Sequence, residues 1–140
     1  MIKKVLCIED DSVTQFLNKI ELEDAGFCEK MIEAWNGQVA LDYYEALSKE
    51  EDGSANAPEI ILLDLNMPVM DGWEFLEIFL EKYPQFSEKT KVFVVTSSIN
   101  PADKIRSHKE DAVKGFLSKP LDGAQIEMLK QFIESGIKQV

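Results

Sequence analysis

Four groups of polar residues, each directly after an apolar run, carry the side chains of this sequence that could do chemistry together. They offer acids, hydroxyls and one ammonium group: Glu9, Asp10 and Asp11; Asp64 and Asn66; Thr96, Ser97 and Ser98; Ser118 and Lys119. Carboxylates with a carbonyl or water supply the hard oxygen ligands that Mg²⁺ prefers. A cation and a lysine neutralise charge on a transferring phosphoryl group, and a carboxylate can itself attack and form an aspartyl phosphate. The residue types therefore suit metal-dependent phosphoryl transfer to an aspartate.

The elements that would position these groups are short apolar strands. Residues 5–8, 60–63 and 92–95 are continuous apolar runs, as expected for strands that are covered on both faces of a parallel sheet. Residues 31–32 and 115–117 predict two shorter strands.

Segments with helical periodicity separate the strands. Their apolar stripes are Val13, Phe16, Leu17 and Ile20; Ala40, Tyr43, Tyr44 and Leu47; Phe75, Leu76 and Phe79; Ile105; and Ile126, Leu129 and Ile133. Ser12 with Gln15 predicts a capping box at the first helix, and Pro101 after Asn100 predicts the start of the fourth. Five repeats of strand then helix predict an α/β fold, with a parallel sheet and helices on both faces.

Ligands of an open parallel sheet bind outside the carboxyl ends of its strands. Taken singly, each polar group could merely cap a helix or face water at a loop. Their occurrence at four strand ends favours one shared site.

Residues 48–58 are polar and without periodicity, and they are interpreted as an enlarged loop after the second helix. They are not interpreted as a linker, because the roughly 45 residues before them are too few to fold alone. The chain is therefore predicted to be one domain, 1–140.

The net charge, the lengths of the apolar runs and the cysteine content of the sequence argue against some classes of protein function. The net charge of -11 argues against a nucleic-acid partner, which requires a basic patch. No apolar run approaches the roughly 18 residues of a membrane span, and the start at Met1 leads directly into a strand-like run without a signal peptide. Two unclustered cysteines, Cys7 and Cys28, are typical of buried thiols in a reducing cytosol. The predicted location is cytoplasmic.

The polar groups also occur in a recognisable order. Glu9-Asp10-Asp11-Ser12, the run from Asp64 to Gly72 (Asp-Leu-Asn-Met-Pro-Val-Met-Asp-Gly), Thr96-Ser97 and Lys119-Pro120 resemble, in order and spacing, the bacterial response-regulator receiver domain. The resemblance covers nearly the whole chain. It implies a flavodoxin-like, doubly wound sheet of five parallel strands in the order 2-1-3-4-5, with five flanking helices.

The resemblance also implies roles for residues. Asp64 would be the phospho-acceptor, the hydroxyl of Thr96 would bond the phosphoryl group, and Lys119 would pair with it. Thr96 and Phe116 would form the switch that transmits the signal. The reactions are self-catalysed phosphotransfer and dephosphorylation of a signalling domain, not turnover by an enzyme.

The implied metal is Mg²⁺ or Mn²⁺. Asp10 and Asp64 would ligate it directly, Asn66 would offer its backbone carbonyl, and Glu9 would act through water. The resemblance further implies a cis peptide between Lys119 and Pro120.

Two positions depart from the commonest family pattern. Glu9 stands where aspartate is commoner, which keeps the charge but moves the carboxylate by one methylene. Phe116 keeps the aromatic ring of the switch position without a hydroxyl.

The implied partners are a sensor histidine kinase or histidine phosphotransfer protein and a downstream protein target, with no nucleic acid and no membrane. About one helix follows Pro120, so the output is expected to pass through protein contacts. His108 lies in a polar stretch and is interpreted as a solvent residue, not a phospho-relay histidine.

Three alternatives remain. A phosphohydrolase of the haloacid-dehalogenase type would need an aspartate where Asn66 stands. A degenerate receiver could act as a docking module without phosphorylation. The chain could also be a piece of a larger regulator or hybrid kinase, although its start at Met1 favours a stand-alone protein.

Overall fold

The computed structural model describes residues 2–97 and 100–135, so the predicted site hydroxyl of Ser98 lies outside the described residues. Its strands are β1 (Ile2–Ile8), β2 (Cys28–Ala34), β3 (Ile60–Leu63), β4 (Lys91–Thr96) and β5 (Val113–Ser118). They form one sheet in the order β2-β1-β3-β4-β5, and every neighbouring pair is parallel. The predicted fold class is therefore confirmed.

The described residues form seven helices: α1 (Ser12–Asp24), α2 (Gly37–Ser48), α3 (Gly53–Asn56), α4 (Gly72–Lys82), α5 (Pro84–Ser87), α6 (Pro101–Lys109) and α7 (Gly123–Ser135). The five longer ones are the five that periodicity predicts. The structure adds two short helices to these five, α3 and α5, which are single turns of four residues and too short to carry a periodic stripe. α3 lies inside the segment 48–58, which was predicted as a loop without structure.

The helices cover both faces of the sheet. α2, α4 and α5 enclose one core layer, in which the Tyr44 ring lies 4.6 Å from Phe79 and 5.4 Å from Phe86 between ring centres. α1 and α7 cover the other layer, where Phe132 packs edge-on against Phe93. With both faces covered, all four residues of β3 are buried, which explains its continuous apolar run.

Side-chain caps begin several of the helices. Asp71 and Glu74 form a capping box at α4, and Asn100 caps α6 in front of Pro101 as predicted. At α1, however, the predicted capping box of Ser12 with Gln15 was wrong. Asp11 is the N-cap, its carboxylate accepting the backbone N–H and the hydroxyl of Thr14. Asp11 takes this place because its short side chain accepts from a backbone N–H three residues on, as an N-cap does.

The apolar stripe that predicts α1 does not form the buried face of that helix. Val13, Phe16 and Leu17 expose between 46% and 62% of their surface. The residues that α1 buries are Gln15, Asn18 and Leu22. A polar pair thus packs on the sheet while the apolar stripe faces outward.

A search of the described residues finds no helix with the length and apolar character of a membrane span.

Candidate functional site

The carboxyl ends of β1 and β3 bring three acids together. Ile8 pairs with Leu63 in register, and the N–H of Asp64 donates to the carbonyl of Ile8 at 3.0 Å. The residues that follow these strand ends are therefore neighbours. Carboxylate oxygens of Glu9, Asp10 and Asp64 lie within 4.8 Å of one another. Glu9 and Asp64 are 2% and 3% exposed, whereas Asp10 is exposed to solvent.

Lys119 reaches this acidic group from the end of β5. Its ammonium lies 3.2 Å from Oδ2 of Asp64 and forms a closer ion pair with Oε1 of Glu9. The backbone N–H of Lys119 donates to the carbonyl of Thr96 at 3.0 Å, and the peptide bond to Pro120 is cis, as the resemblance implies. Lys119 is thus held at the end of β4 with its charge between two buried carboxylates.

The ionisation of these groups follows from burial and charge. Burial raises the pKa of Glu9 to about 6, although a hydrogen bond from Lys119 opposes the rise. Burial also raises the pKa of Asp64, against the nearby positive charge of Lys119. For Lys119, burial lowers the pKa, but its hydrogen bond to Glu9 and the charge of Asp64 outweigh burial and raise it. Lys119 pairs with two of the three carboxylates, Glu9 and Asp64, and Asp10 adds a further negative charge beside them, so a divalent cation with hard oxygen ligands fits the excess of negative charge.

Backbone groups fix Asp64 and its neighbours. The N–H of Asn66 donates to Oδ1 of Asp64 at 3.3 Å, and the N–H of Gly72 donates to the carbonyl of Leu65 at 3.0 Å. A Cβ at Gly72 would lie 2.5 Å from the carbonyl oxygen of Asp64, so the close approach of α4 requires a glycine there. The start of α4 is therefore built directly against the loop that carries Asp64 and Leu65.

The three consecutive acids Glu9, Asp10 and Asp11 have different contacts, and those of Asp11 are with its neighbours in the chain. Its N–H donates to Oε2 of Glu9 at 3.0 Å, while its side chain caps α1. Glu9 faces Lys119, Asp11 faces the helix, and Asp10 remains exposed beside Asp64.

The predicted switch residues share one face of the sheet. Thr96 is buried at the end of β4 and pairs in register with Ser118, while Val94 pairs with Phe116. Because side chains alternate along a strand, Thr96 and Phe116 point to the same side. Phe116 is half-buried and packs against the core under α2 and α4.

The other predicted polar groups lie at the rim. Asn66 and Ser97 are exposed in the loops that follow β3 and β4, and Ser118 is exposed as the last residue of β5.

Sequence reasoning missed Gln15 as a buried residue near the site. Its amide nitrogen donates to the carbonyls of Cys7, Glu9 and Ala34. A signal was present, because Gln15, Asn18 and Leu22 have the spacing i, i+3, i+7 of a single helix face.

Known proteins similar to this chain in sequence and in structure are proteins of two-component signalling and regulation. The model of the response regulator receiver domain family matches residues 5–131. The probable methanogenesis regulatory protein FilR2 of Methanothrix harundinacea is 32% identical over 130 residues, which cover 93% of this chain and 78% of that protein. The sensor histidine kinase CheAY of Helicobacter pylori is 30% identical over 134 residues, or 96% of this chain but only 15% of the kinase. A solved two-component response regulator from Cytophaga hutchinsonii has a TM-score of 0.86 at 28% identity, covering 96% of this chain and 98% of that one.

Proposed function

Because this chain belongs to the response regulator receiver domain family, we propose that its Asp64 accepts a phosphoryl group from a phosphohistidine on a partner protein. Members of the family are signalling domains of two-component systems, and they accept a phosphoryl group on an aspartate. The observation that carries the proposal is the buried carboxylate of Asp64, 3.2 Å from the ammonium of Lys119 and within 4.8 Å of two further carboxylates.

The transfer is a displacement at phosphorus. A carboxylate oxygen of Asp64 forms the new O–P bond while the P–N bond to the donor imidazole breaks, and the bonding electrons leave with that imidazole. Lys119 then pairs with an oxygen of the phosphoryl group in place of the Asp64 carboxylate. Hydrolysis at the same site later returns Asp64 to the carboxylate.

The residues around Asp64 support a divalent cation, Mg²⁺ or Mn²⁺. Asp10 and Asp64 would bind it directly, with the backbone carbonyl of Asn66. Glu9 would act through a water molecule, because its own carboxylate oxygens are bonded to Lys119 and to the N–H of Asp11. When bound, the cation supplies positive charge that screens the phosphoryl oxygens.

The donor in this proposal is a sensor histidine kinase or a phosphotransfer protein in the cytoplasm. Similarity to the sensor histidine kinase CheAY supports a kinase partner in general. The net charge of -11 supports a protein target in preference to nucleic acid for the output.

The first experiment tests the acceptor. The protein is incubated with Mg²⁺ and acetyl phosphate, and intact mass is measured before the adduct is located by fragmentation. We expect one phosphoryl adduct on wild type and none on Asp64→Asn. Asp71→Asn is the matched control, because asparagine also serves as an N-cap and should leave the yield unchanged. An adduct of equal yield on Asp64→Asn would contradict the assignment.

A second experiment tests how the signal leaves the site. We propose that the hydroxyl of Thr96 moves toward the phosphoryl group and that Phe116 rotates into the space behind it, which shifts a balance between two arrangements. The change would reach the face formed by α6, β5 and α7.

Thr96→Ala should still bind beryllofluoride with Mg²⁺ but lose the response on that face. Amide NMR shifts at Phe116 and along α7 measure it, and identical shifts in both proteins would exclude this coupling.

A further inference from the structure

Gln15 is a buried amide that connects the first turns of α1 to the ends of two strands. It is 1% exposed. Its Nε2 carries two hydrogens, which three carbonyl oxygens share: that of Cys7 at 2.9 Å and those of Glu9 and Ala34, each at 3.2 Å. One side chain thus bonds the backbone of β1, the residue after β1 and the last residue of β2.

The carbonyl of Glu9 is the contact that bears on the site. Ala34 ends β2, and its carbonyl accepts the N–H of Glu9 at 3.0 Å. The carbonyl of Glu9 therefore lies past the end of the β2 ladder, where no further residue of that strand is available to donate. Gln15 supplies the missing donor and extends the hydrogen bonding of the sheet by one group.

The amide has a cost that an apolar side chain would not have. Oε1 of Gln15 is buried and accepts no hydrogen bond from the residues that the structure describes. Leu22 fills the inner face of the same helix two turns later without any polar group. The donor that Gln15 offers to the strand-end carbonyls offsets this cost, and a methylene or methyl group in its place would leave the carbonyl of Glu9 without that hydrogen bond.

Different hydrogen bonds fix the two ends of the acidic segment Glu9–Asp11. The Asp11 side chain ties its far end to the first turn of α1, and the N–H of Asp11 binds the Glu9 carboxylate. Gln15 holds the carbonyl of Glu9 on the sheet side. That carbonyl belongs to the planar peptide unit that joins Glu9 to Asp10, so holding it constrains the plane of that unit and the position of the Cα from which the Asp10 side chain leaves the backbone.

We propose that Gln15 is a positioning residue that orients the Glu9–Asp10 peptide and thereby the carboxylates that bind the divalent cation. The inference rests on the proposed function, since it assumes that Asp10 and Asp64 bind Mg²⁺. Gln15 itself has no contact with the cation in this scheme and acts only through the backbone.

The test compares two buried amides on one helix face. Gln15→Met keeps an unbranched side chain of similar length and removes the donor. Asn18→Leu is the matched control, because the Asn18 amide contacts the sulfur of Cys7 at 3.3 Å and not a strand-end carbonyl. Mg²⁺ affinity is measured by calorimetry on the folded proteins. We expect Gln15→Met to weaken Mg²⁺ binding on the order of tenfold, as loss of a supporting hydrogen bond does at metal sites, and Asn18→Leu to leave it unchanged.

If Gln15→Met does not fold, NMR of the wild-type protein tests the same role. The side-chain NH₂ resonances of Gln15 should shift when Mg²⁺ saturates the site, while those of Asn18 should not. An unshifted Gln15 amide, or equal Mg²⁺ affinity in wild type and Gln15→Met, would overturn the positioning role. An equal loss of affinity in Asn18→Leu would also overturn it. Failure of wild type to bind Mg²⁺ would instead overturn the metal site of the proposed function.

Discussion

Helices α1 and α4 have similar apolar periodicity in the sequence but opposite relations to the sheet. α4 buries its stripe, and Phe75, Leu76 and Phe79 lie in the core. α1 turns Val13, Phe16 and Leu17 outward and buries Gln15 and Asn18. Periodicity therefore predicts both helices correctly and predicts the buried face of only one.

The surfaces beneath the two helices explain this difference. α4 covers an apolar layer that includes Tyr44, whose ring lies 4.6 Å from that of Phe79. The first turns of α1 lie over the ends of β1 and β2, where the carbonyls of Glu9 and Ala34 accept from Gln15. A buried carbonyl without a donor is costly, so a polar residue packs there in place of an apolar one. α4 thus packs an apolar face on the core, whereas α1 packs the amides of Gln15 and Asn18 beside Leu22 against the sheet.

The largest expected difference in the free energy of unfolding is between variants of Phe79, a buried residue of α4, and Phe16, an exposed residue of α1. Phe79→Ala removes a fully buried ring and should cost about 3–5 kcal/mol of the free energy of unfolding. Phe16→Ala removes a ring that is 61% exposed and should change that free energy by no more than about 0.5 kcal/mol. Urea denaturation of both variants measures the difference. A loss of several kcal/mol in Phe16→Ala would contradict the solvent exposure of the Phe16 ring in the folded protein.

The next effect tests how closely the start of α4 packs against the loop that carries Asp64. In Gly72→Ala the new Cβ would meet the carbonyl oxygen of Asp64 at 2.5 Å and Cα of Leu65 at 2.9 Å. Because backbone atoms must shift, we expect a loss of about 1–3 kcal/mol in the free energy of unfolding and slower phosphorylation by acetyl phosphate. Gly123→Ala in α7 is the control, since nothing lies within 4 Å of its Cβ. Equal behaviour of the two variants would refute the close approach.

The smallest effect concerns the outer edge of α4. Trp73 donates its Nε1–H to Oδ1 of Asp103 in α6 at 3.1 Å, and the guanidinium of Arg106 lies 4.5 Å from the centre of its ring. Trp73→Phe should cost about 0.5–1.5 kcal/mol in the free energy of unfolding, because it keeps a ring but loses the hydrogen bond.

The control for Trp73 is Trp35→Phe, at a position 43% exposed, with an expected change within about 0.5 kcal/mol. Urea denaturation again measures both. A loss in Trp35→Phe as large as that in Trp73→Phe would contradict the assignment of the loss to the contact between α4 and α6.

The sequence by itself determined the order of the elements and the edge at which the polar groups meet. Apolar runs such as 60–63 have the length and composition of buried strands, and a strand followed by a helix dictates parallel pairing. Asp10, Asp64 and Lys119 each follow such a run, so their meeting at the carboxyl edge follows from topology alone. These features are local, and local patterns are what a single sequence records.

Only the tertiary structure decided which neighbours each side chain has. Glu9 pairs with Lys119, which follows the edge strand β5, and Gln15 turns inward against the ends of β1 and β2. Each outcome depends on groups brought together by folding, as when the Gln15 amide meets the carbonyl of Ala34, 19 positions away. A helix buries the face that satisfies the surface beneath it, and that surface exists only once the strands have paired.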